Sequence, residues 1–297
     1  MILATKVLEL KEKFYLERYE EIERTIIKNY HKKIWAKFVK GIVEFEMIKE
    51  GDKIAVCISG GKDSMLMAKC FQELKKHGKI NFETVFLVMD PGYNKVNRQK
   101  IIDNAKLLNI PITIFETNIF EVADRIDDHP CYICARMRRG YLYNKAKELG
   151  CNKIALGHHF DDVIETILMG MLYGAQMQTM MPKLHSTFHP GMELIRPMYY
   201  VKEQDIINWR DKNELEFIAC ACKVTEKKGL ACNNEFGSKR EEIKKLIKDL
   251  RRVYKNVDMN IMRSSQNVSL DTLISYRKGG EKHHFLDDYD NRNNNSY

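Results

Sequence analysis

Short apolar runs alternate with amphipathic stretches through the middle of the chain. The runs that predict β-strands lie at 53–58, 82–89, 112–116 and 153–156. The stretches with helical spacing of apolar residues lie near 64–76, 95–107, 132–149 and 160–173. Strands that alternate with helices are typical of a parallel sheet. We therefore expect an α/β fold, a doubly wound parallel sheet that binds ligands at the carboxyl ends of its strands.

The pattern changes on both sides of this region. Residues 5–50 combine dense charge with helical spacing of apolar positions, which predicts two amphipathic helices. Beyond residue 223 the chain is again charged and helical, and its Asn-rich end has the composition of a disordered tail. The predicted regions are an N-terminal helical extension (1–50), a catalytic domain (51–222), a basic helical region (223–278) and a disordered tail (279–297).

Size and charge narrow the class of protein. A chain of 297 residues can hold one large α/β domain with appendages, and a net charge of +8 permits a polyanionic partner. The lysine-rich stretch 31–40 could touch RNA phosphates or form a solvated helix face. We find no signal peptide and no run of about 18 apolar residues that could span a bilayer. We therefore expect a soluble cytoplasmic protein with no membrane partner.

The first predicted strand runs into a glycine turn with chemically useful side chains. This turn consists of Ser59, Gly60, Gly61, Lys62, Asp63 and Ser64. Its glycines let backbone N–H groups approach phosphate oxygens, and the following helix directs its N-terminal dipole to the same place. The lysine can neutralise phosphate charge while the serines donate hydrogen bonds. The turn predicts a nucleotide phosphate site unlike the Walker A loop, where Ser or Thr follows the lysine. An ordinary glycine-rich turn is the plain alternative.

A second polar cluster, Gly157-His158-His159-Phe160-Asp161-Asp162, follows the strand predicted at 153–156. Gly157 lets the chain turn sharply at the carboxyl edge of the sheet. The two aspartates can hold Mg²⁺ against pyrophosphate, and the histidines can donate to phosphates or position the acceptor. Helix capping by an aspartate would explain one carboxylate but not the whole cluster.

The candidate nucleotide site draws on the ends of three predicted strands. The second of these ends in Met89 and Asp90, a position that in this topology often meets the adenine or ribose. The predicted nucleotide-binding residues are Ser59, Gly60, Gly61, Lys62, Asp63, Ser64, Met89, Asp90, Gly157, His158 and Asp162. The predicted catalytic residues are Lys62, Asp63 and Asp161.

The chain contains eight cysteines, which in a reducing compartment are buried, metal-bound or reactive rather than disulfide-bonded. Cys131 and Cys134 have the C-x-x-C spacing that lets two thiolates bind one metal or cluster, and the arginines that follow would lower the thiolate pKa. A second pair, Cys220 and Cys222, lies far downstream. Two pairs also suit a closed zinc site with four thiolates. We expect no function for the remaining cysteines.

Together these motifs resemble those of the tRNA 2-thiocytidine synthetase (TtcA) family within the PP-loop ATP pyrophosphatases. The resemblance spans about residues 31 to 270. It rests on the glycine turn, C-x-x-C followed by Ala-Arg-Met-Arg-Arg-Gly, Leu-Gly-His-His-Phe-Asp-Asp, Tyr-Gly with Met-Pro-Lys, and Ile-Arg-Pro, in that order. It implies an adenine nucleotide alpha-hydrolase-like fold and ATP-dependent thiolation of cytidine 32 in the tRNA anticodon loop. The C2 oxygen would first be adenylated and then replaced by sulfur.

The same resemblance implies cofactors and partners. They are ATP, Mg²⁺, a 4Fe-4S cluster on three cysteines, tRNA, a cysteine desulfurase or other sulfide donor, and a second copy in a homodimer. Cys131 and Cys134 match the first two cluster ligands. Register with Ile-Arg-Pro favours Cys220 as the third, whereas a turn suggested by the residues after Cys222 favours Cys222. Two alternatives stay open: a persulfide-based sulfurtransferase without a cluster, acting on RNA or a small molecule, and a zinc-stapled nucleotide-binding regulator.

Overall fold

The structure, a computed structural model, describes residues 17–124, 130–218 and 235–287 together with residue 289. Side chains at 121, 123–124, 130–135 and 235–238 lie outside the description. Within the described residues, no helix is long and apolar enough to cross a membrane.

A six-stranded sheet in the order β3-β2-β1-β4-β6-β5 forms the centre of the described structure. Its strands are β1 (Lys53–Ile58), β2 (Glu83–Asp90), β3 (Ile112–Glu116), β4 (Lys153–Ala155), β5 (Lys183–His185) and β6 (Glu193–Ile195). Neighbouring strands pair in parallel except β5, which lies antiparallel to β6 at one edge. The doubly wound parallel sheet is confirmed, and β5 and β6 are additions to the predicted strands.

Helices lie on both faces of this sheet and at both ends of the chain. They are α1 (Arg18–Lys28), α2 (Ala36–Glu44), α3 (Lys62–His77), α4 (Lys95–Leu107), α5 (Ile119–Asp124), α6 (Pro130–Glu148), α7 (Phe160–Gly174), α8 (Glu203–Lys212), α9 (Glu235–Val253) and α10 (Val257–Ser264). A π-helical turn, His31–Trp35, connects α1 to α2. Short 3-10 turns occupy Leu270–Thr272 and Phe285–Asp287.

Side chains alternate along the strands, so the sheet buries apolar residues on both faces. Ile54 and Val56 of β1 pack in one cluster with α3, α4, α8 and the N-terminal helices. Ala55 and Cys57 point to the other face and pack with Tyr143 of α6. Cys57 is buried, which raises the pKa of its thiol to about 12 and agrees with the expected core role.

The helix α9 packs against α7 rather than extending away from the domain. Ile243 and Ile247, four residues apart on one face of α9, are almost fully buried with Val163 and Ile164 of α7. Met262 of α10 completes this cluster. The packing holds α9 beside the start of α7, where the second polar cluster lies.

The predicted disordered tail is wrong at its beginning. Strands β7 (Ser275–Lys278) and β8 (Glu281–His284) form an antiparallel hairpin across the predicted boundary at 279. Gly279 and Gly280 make the turn with φ of +62° and +92°, which glycine adopts without steric cost. A Gly-Gly pair between two short strands is a recognised hairpin signal and could have revealed it. The other regional boundaries stay predictions.

Candidate functional site

Hydrogen bonds of its own serines stabilise the glycine turn after β1. The backbone N–H of Ser59 donates to Ser64 Oγ at 3.1 Å, and Ser64 Oγ donates to the carbonyl of Gly61 at 3.0 Å. Gly60 has φ of +87°, and a Cβ there would lie only 2.6 Å from Ile101, so both conformation and space require glycine. Helix α3 starts at Lys62 without a side-chain cap. Its first-turn amides are therefore available to an anion.

Lys62 lies in a small ion-pair network at the start of α3. Its Nζ donates to Glu203 Oε1 at 2.9 Å and to Asp63 Oδ2 at 3.3 Å. Burial alone would lower the pKa of Lys62, but Asp63 and Glu203 together raise it above its ordinary value. The other oxygen of Asp63, Oδ1, is buried and lies 3.2 Å from the same Nζ as an ion pair, but it accepts no hydrogen bond from the described residues. The site therefore holds a permanent cation beside a carboxylate oxygen with unused capacity.

Gly157 brings the second polar cluster against this turn. A Cβ at Gly157 would lie 3.2 Å from both the backbone nitrogen and the Cα of Ser64, so any larger residue would have to push this backbone away by a few tenths of an ångström. In the same region His159 Nε2 lies 3.9 Å from Asp63 Oδ1. Two motifs that are far apart in sequence therefore share one edge of the sheet.

Part of the second cluster caps α7. The backbone N–H of His159 donates to Asp162 Oδ2 at 3.0 Å, and the backbone N–H of Asp162 donates to His159 Nδ1 at 3.4 Å. This reciprocal pair is a capping box with histidine in the N-cap position. Burial would raise the pKa of Asp162, but His159 and Arg240 bring it below its usual range. The capping alternative therefore accounts for His159 and for one oxygen of Asp162.

The remaining carboxylate oxygens of the cluster meet two arginines of α9. Arg251 Nη2 donates to Asp161 Oδ1 at 2.5 Å, and Arg240 Nη2 donates to Asp162 Oδ1 at 2.6 Å. Asp161 Oδ2 accepts from the backbone N–H of Glu203 at 2.7 Å. The arginines lie 78 and 90 residues from their partners, and no sequence pattern signals either contact. Sequence reasoning also missed Glu203.

The end of β2 contributes mainly to the shape of the site. Met89 is buried, and Asp90 Oδ1 accepts from the backbone N–H groups of Gly92 at 2.9 Å and Tyr93 at 2.7 Å. The hydroxyl of Tyr93 donates to the carbonyl of Ser59 at 3.3 Å. Asp90 thus holds a turn that contacts the glycine loop. Contact of Met89 or Asp90 with adenine or ribose stays a prediction.

The predicted cluster ligands fall in parts of the chain with little structural description. Cys131 and Cys134 lie in the first turns of α6, with side chains outside the description, while Cys220 and Cys222 lie outside the described residues. In the described part of the chain, no group of three or more His, Cys, Asp or Glu side chains could hold a metal. The cluster and the choice of its third ligand stay predictions.

Two basic residues of the C-terminal helices, Arg240 and Arg251, pair with carboxylates of the domain. Arg251 pairs with Asp161 and with Asp258, whose Oδ1 lies 2.8 Å from its Nε, so it is not free to meet RNA phosphates. Lys244, Lys245 and Lys248 of the same helix are exposed, and their contact with RNA stays a prediction.

Comparisons with known proteins agree with this geometry. The family profile ATP_bind_3, described as PP-loop domain, matches residues 24–223. The chain is 33% identical over 265 residues to a tRNA-cytidine(32) 2-sulfurtransferase of Paraburkholderia xenovorans (strain LB400), covering 88% of this chain and 76% of that protein. It is 35% identical over 235 residues to a protein of the same name from Vibrio cholerae serotype O1, covering 77% and 72%.

A solved structure also matches: the U34-tRNA thiolase NcsA from Methanococcus maripaludis, with its 4Fe-4S cluster. The TM-score is 0.60 and the identity 20%, covering 78% of this chain and 76% of that one. At this identity the likeness shows a shared fold.

Proposed function

Since this chain belongs to the PP-loop family, and within it to the tRNA-cytidine(32) 2-sulfurtransferases, we propose that it uses ATP to thiolate a cytidine of the tRNA anticodon loop. The observation that carries the proposal is the contact of Gly157 with the backbone of Ser64. It joins a phosphate-binding turn and a carboxylate cluster at the carboxyl edge of one parallel sheet, where such folds bind nucleotides.

The reaction must first make the C2 oxygen of cytidine a leaving group. That oxygen attacks the α-phosphorus of ATP, the bond to the β-phosphate breaks, and pyrophosphate leaves with its electron pair. Lys62 and the first-turn amides of α3 are placed to stabilise the charge that develops on the phosphates. Glu203 holds the ammonium group of Lys62 in position.

Sulfur replaces the activated oxygen in the second step. A hydrosulfide nucleophile attacks C2, the C2–O bond breaks, AMP leaves, and the sulfur loses its proton to give 2-thiocytidine. The hydrosulfide comes from a sulfide donor, or from the persulfide of a cysteine desulfurase after a thiol supplies the two electrons that release its outer sulfur as sulfide. Anticodon-loop bases can leave their stack at modest cost, which allows C2 to reach a recessed site.

The carboxylates suit Mg²⁺, because hard oxygen ligands are those that this ion prefers. Asp63 Oδ1, buried without a hydrogen-bond donor among the described residues, is the best candidate ligand, and Asp161 is the second. When bound, Mg²⁺ would neutralise phosphate charge. Coordination by Asp161 requires Arg251 to give up or share the carboxylate.

We further propose that Cys131, Cys134 and either Cys222 or Cys220 hold a 4Fe-4S cluster. The support is the C-x-x-C spacing, together with the 4Fe-4S cluster of NcsA, whose fold this chain shares. When bound, a cluster with three thiolate ligands supplies an iron site open to sulfur. Iron and zinc content of single Cys→Ala variants tests this: Cys131→Ala and Cys134→Ala should lose iron, as should only one of the two late variants. Loss of zinc and of folding in both late variants would instead support a closed zinc site.

We also propose that the chain forms a homodimer. Leu172, Met177 and Phe188 are 56%, 67% and 82% exposed, respectively. Each of these side chains would lose apolar surface to water if a second copy covered it. Light scattering should give twice the 34.9 kDa chain mass. A monomer would contradict the proposal.

The activity is tested with anaerobically prepared protein, ATP, Mg²⁺, sulfide and unmodified tRNA, followed by mass spectrometry of the tRNA nucleosides. The proposal expects 2-thiocytidine at position 32, none with Lys62→Ala, and normal amounts with Lys145→Ala, whose lysine pairs with Glu148 on the exposed side of α6. Sulfur on another base, or none at all, would contradict it.

A further inference from the structure

Arg196 is a buried arginine with unused hydrogen-bonding capacity. It directly follows β6 and is only 8% exposed. Its Nη1 donates to the backbone carbonyl of Met181, whereas its Nε is buried and has no hydrogen-bond partner among the described residues. Burial, together with the nearby charge of Arg139, lowers the pKa of Arg196 to about 10. Burying a charged guanidinium without all its hydrogen bonds lowers the stability of the fold. A ligand that accepts a hydrogen bond from Nε would offset this loss.

His158 presents a second incomplete group at the same edge. Its Nδ1 is buried and has no hydrogen-bond partner within the described chain. Burial and the charge of Arg196 lower the pKa of His158 to about 4, so the ring is neutral at physiological pH and keeps one lone pair. The strands that precede His158 and Arg196 are parallel neighbours, with Ala155 of β4 in register with Ile195 of β6. The two unused nitrogens therefore belong to adjacent strand ends.

This pair lies beside the phosphate site of the proposed chemistry, because His158 follows Gly157, where a Cβ would lie 3.2 Å from the backbone of Ser64. On one side, the negative charge of Asp162 in the phosphate site raises the pKa of Arg196. On the other side, Arg139 and Tyr143 of α6 also act on its charge, and α6 is the helix that begins with the C-x-x-C pair. The reacting pyrimidine has to lie beside the phosphate site, because its C2 oxygen must meet the α-phosphate.

We propose that Arg196 and His158 bind the Watson–Crick edge of the target pyrimidine and select cytosine over uracil, an inference that rests on the proposed function. Arginine Nε–H can only donate, and cytosine N3 can only accept. With its proton on Nε2, His158 accepts at Nδ1 from the 4-amino group of cytosine. Uracil presents the reverse pattern, with an N–H at position 3 and an oxygen at position 4. The Arg196 donor would then face a donor, and the His158 acceptor would face an acceptor.

Modified substrates test this with the wild-type protein. The tRNAs carry cytidine, 3-deazacytidine, which lacks the N3 acceptor, or the riboside of pyrimidin-2-one, which lacks the 4-amino group, at the target position. Each deletion should weaken single-turnover thiolation and tRNA binding by roughly tenfold or more, as expected when a built hydrogen bond loses its partner. Equal binding of all three tRNAs would overturn the inference even if no variant could be prepared.

Double-mutant cycles assign each contact to its residue. In Arg196→Met the 3-deaza substitution should cost nothing further, and in His158→Leu the loss of the amino group should cost nothing further. Both variants should also thiolate uridine-32 tRNA more readily relative to cytidine-32 tRNA than the wild type does. Matched controls are Arg210→Met and His185→Leu, which change an arginine paired with Asp211 and an exposed histidine of β5.

The outcomes separate the two proposals. If the wild type thiolates no cytidine-32 tRNA, the proposed function itself fails. If it does so and both variants retain the wild-type ratio of cytidine to uridine thiolation and the full penalty of each modified base, the function stands and the assignment of Arg196 and His158 is wrong. Unchanged ATP affinity is expected in Arg196→Met, since the inference places Arg196 against the base of the tRNA rather than against ATP.

Discussion

The two edges of the central sheet both bury charged groups, and they do so in opposite ways. At the amino edge, the buried Nζ of Lys153 lies 2.9 Å from Asp52 Oδ2 and 2.8 Å from Glu193 Oε2, and donates to the carbonyl of Met47 at 3.1 Å. Asp52 accepts a further hydrogen bond from the side chain of Asn152 at 2.7 Å. The three donors of the ammonium group all have acceptors.

At the carboxyl edge the same sheet ends in groups with unused capacity. Five buried side-chain nitrogen or oxygen atoms among the described residues have no hydrogen-bond partner, and three of them lie here: Asp63 Oδ1, His158 Nδ1 and Arg196 Nε; the other two are Thr179 Oγ1 and Trp209 Nε1. Buried polar groups in native proteins are normally paired, so a concentration of exceptions requires a functional reason. The contrast assigns the amino edge to stability and the carboxyl edge to ligands, and it does so independently of any motif.

The largest effect should come from breaking the amino edge. Lys153→Met leaves the buried carboxylate of Asp52 without its cation and removes the nearest cation from the half-buried Glu193, so it should lower the free energy of unfolding by about 3–5 kcal/mol. Denaturant unfolding measures this. Lys53→Met is the matched control, because its lysine pairs with the exposed Glu83 at 3.5 Å, and such a pair contributes less than about 1 kcal/mol. Equal losses in the two variants would contradict the contrast.

The second prediction acts on the carboxyl edge. Lys62→Ala and Asp63→Ala should slow tRNA-dependent pyrophosphate release by roughly 10²- to 10³-fold, because each removes a group that faces the phosphates. Unfolding free energies should change little, since both side chains are partly exposed, at 19% and 28%. Detection of ADP and phosphate instead of AMP and pyrophosphate would show that the turn has been misinterpreted.

A third prediction concerns acid stability and follows from His158. Its pKa is about 4 in the folded protein against 6.5 ordinarily, so the unfolded chain binds the extra proton as pH falls. The stabilisation is complete above pH 6.5 and is lost progressively toward pH 4, by about 2 kcal/mol at pH 5. His158→Asn should remove this part of the pH dependence, and His185→Asn, at an exposed position, should not. Identical pH profiles for wild type and His158→Asn would refute it.

The smallest effect is expected at the basic surface of α9. Lys245→Glu and Lys248→Glu should weaken tRNA binding and reduce its salt dependence by about one unit of slope for each lost phosphate contact. ATP affinity should not change. Filter binding over a range of salt concentrations measures both quantities, and unaltered tRNA affinity would remove this helix from the RNA interface.

Much of the fold was predictable because β1, β2 and β3 are short, mainly apolar runs that alternate with helical stretches. Strands β5 and β6 escaped prediction because each has only three residues, too few to show a strand pattern, and neither leads into a polar motif. In the structure Lys183 pairs with Glu193, and Glu193 also pairs with Lys153. These ion pairs are visible only in three dimensions.

The two motifs of the site were predictable from the sequence. Their contacts with distant parts of the chain were not. The glycine turn and the Gly157 cluster each follow a parallel strand, so their meeting at one edge follows from topology. The pairing of Asp161 and Asp162 with the two arginines of α9 does not, because it depends on how α9 packs against α7. The sequence likewise cannot show that His158 Nδ1 and Arg196 Nε lack hydrogen-bond partners, because this depends on which side chains pack around them.

The most direct test of the central claim follows one oxygen atom. A tRNA whose target cytidine carries ¹⁸O at C2 is thiolated in unlabelled water, and the AMP is examined by mass spectrometry. If the C2 oxygen attacks the α-phosphate at the carboxyl edge, each molecule of AMP formed with 2-thiocytidine carries one ¹⁸O. Unlabelled AMP accompanied by ¹⁸O in the solvent would contradict the account.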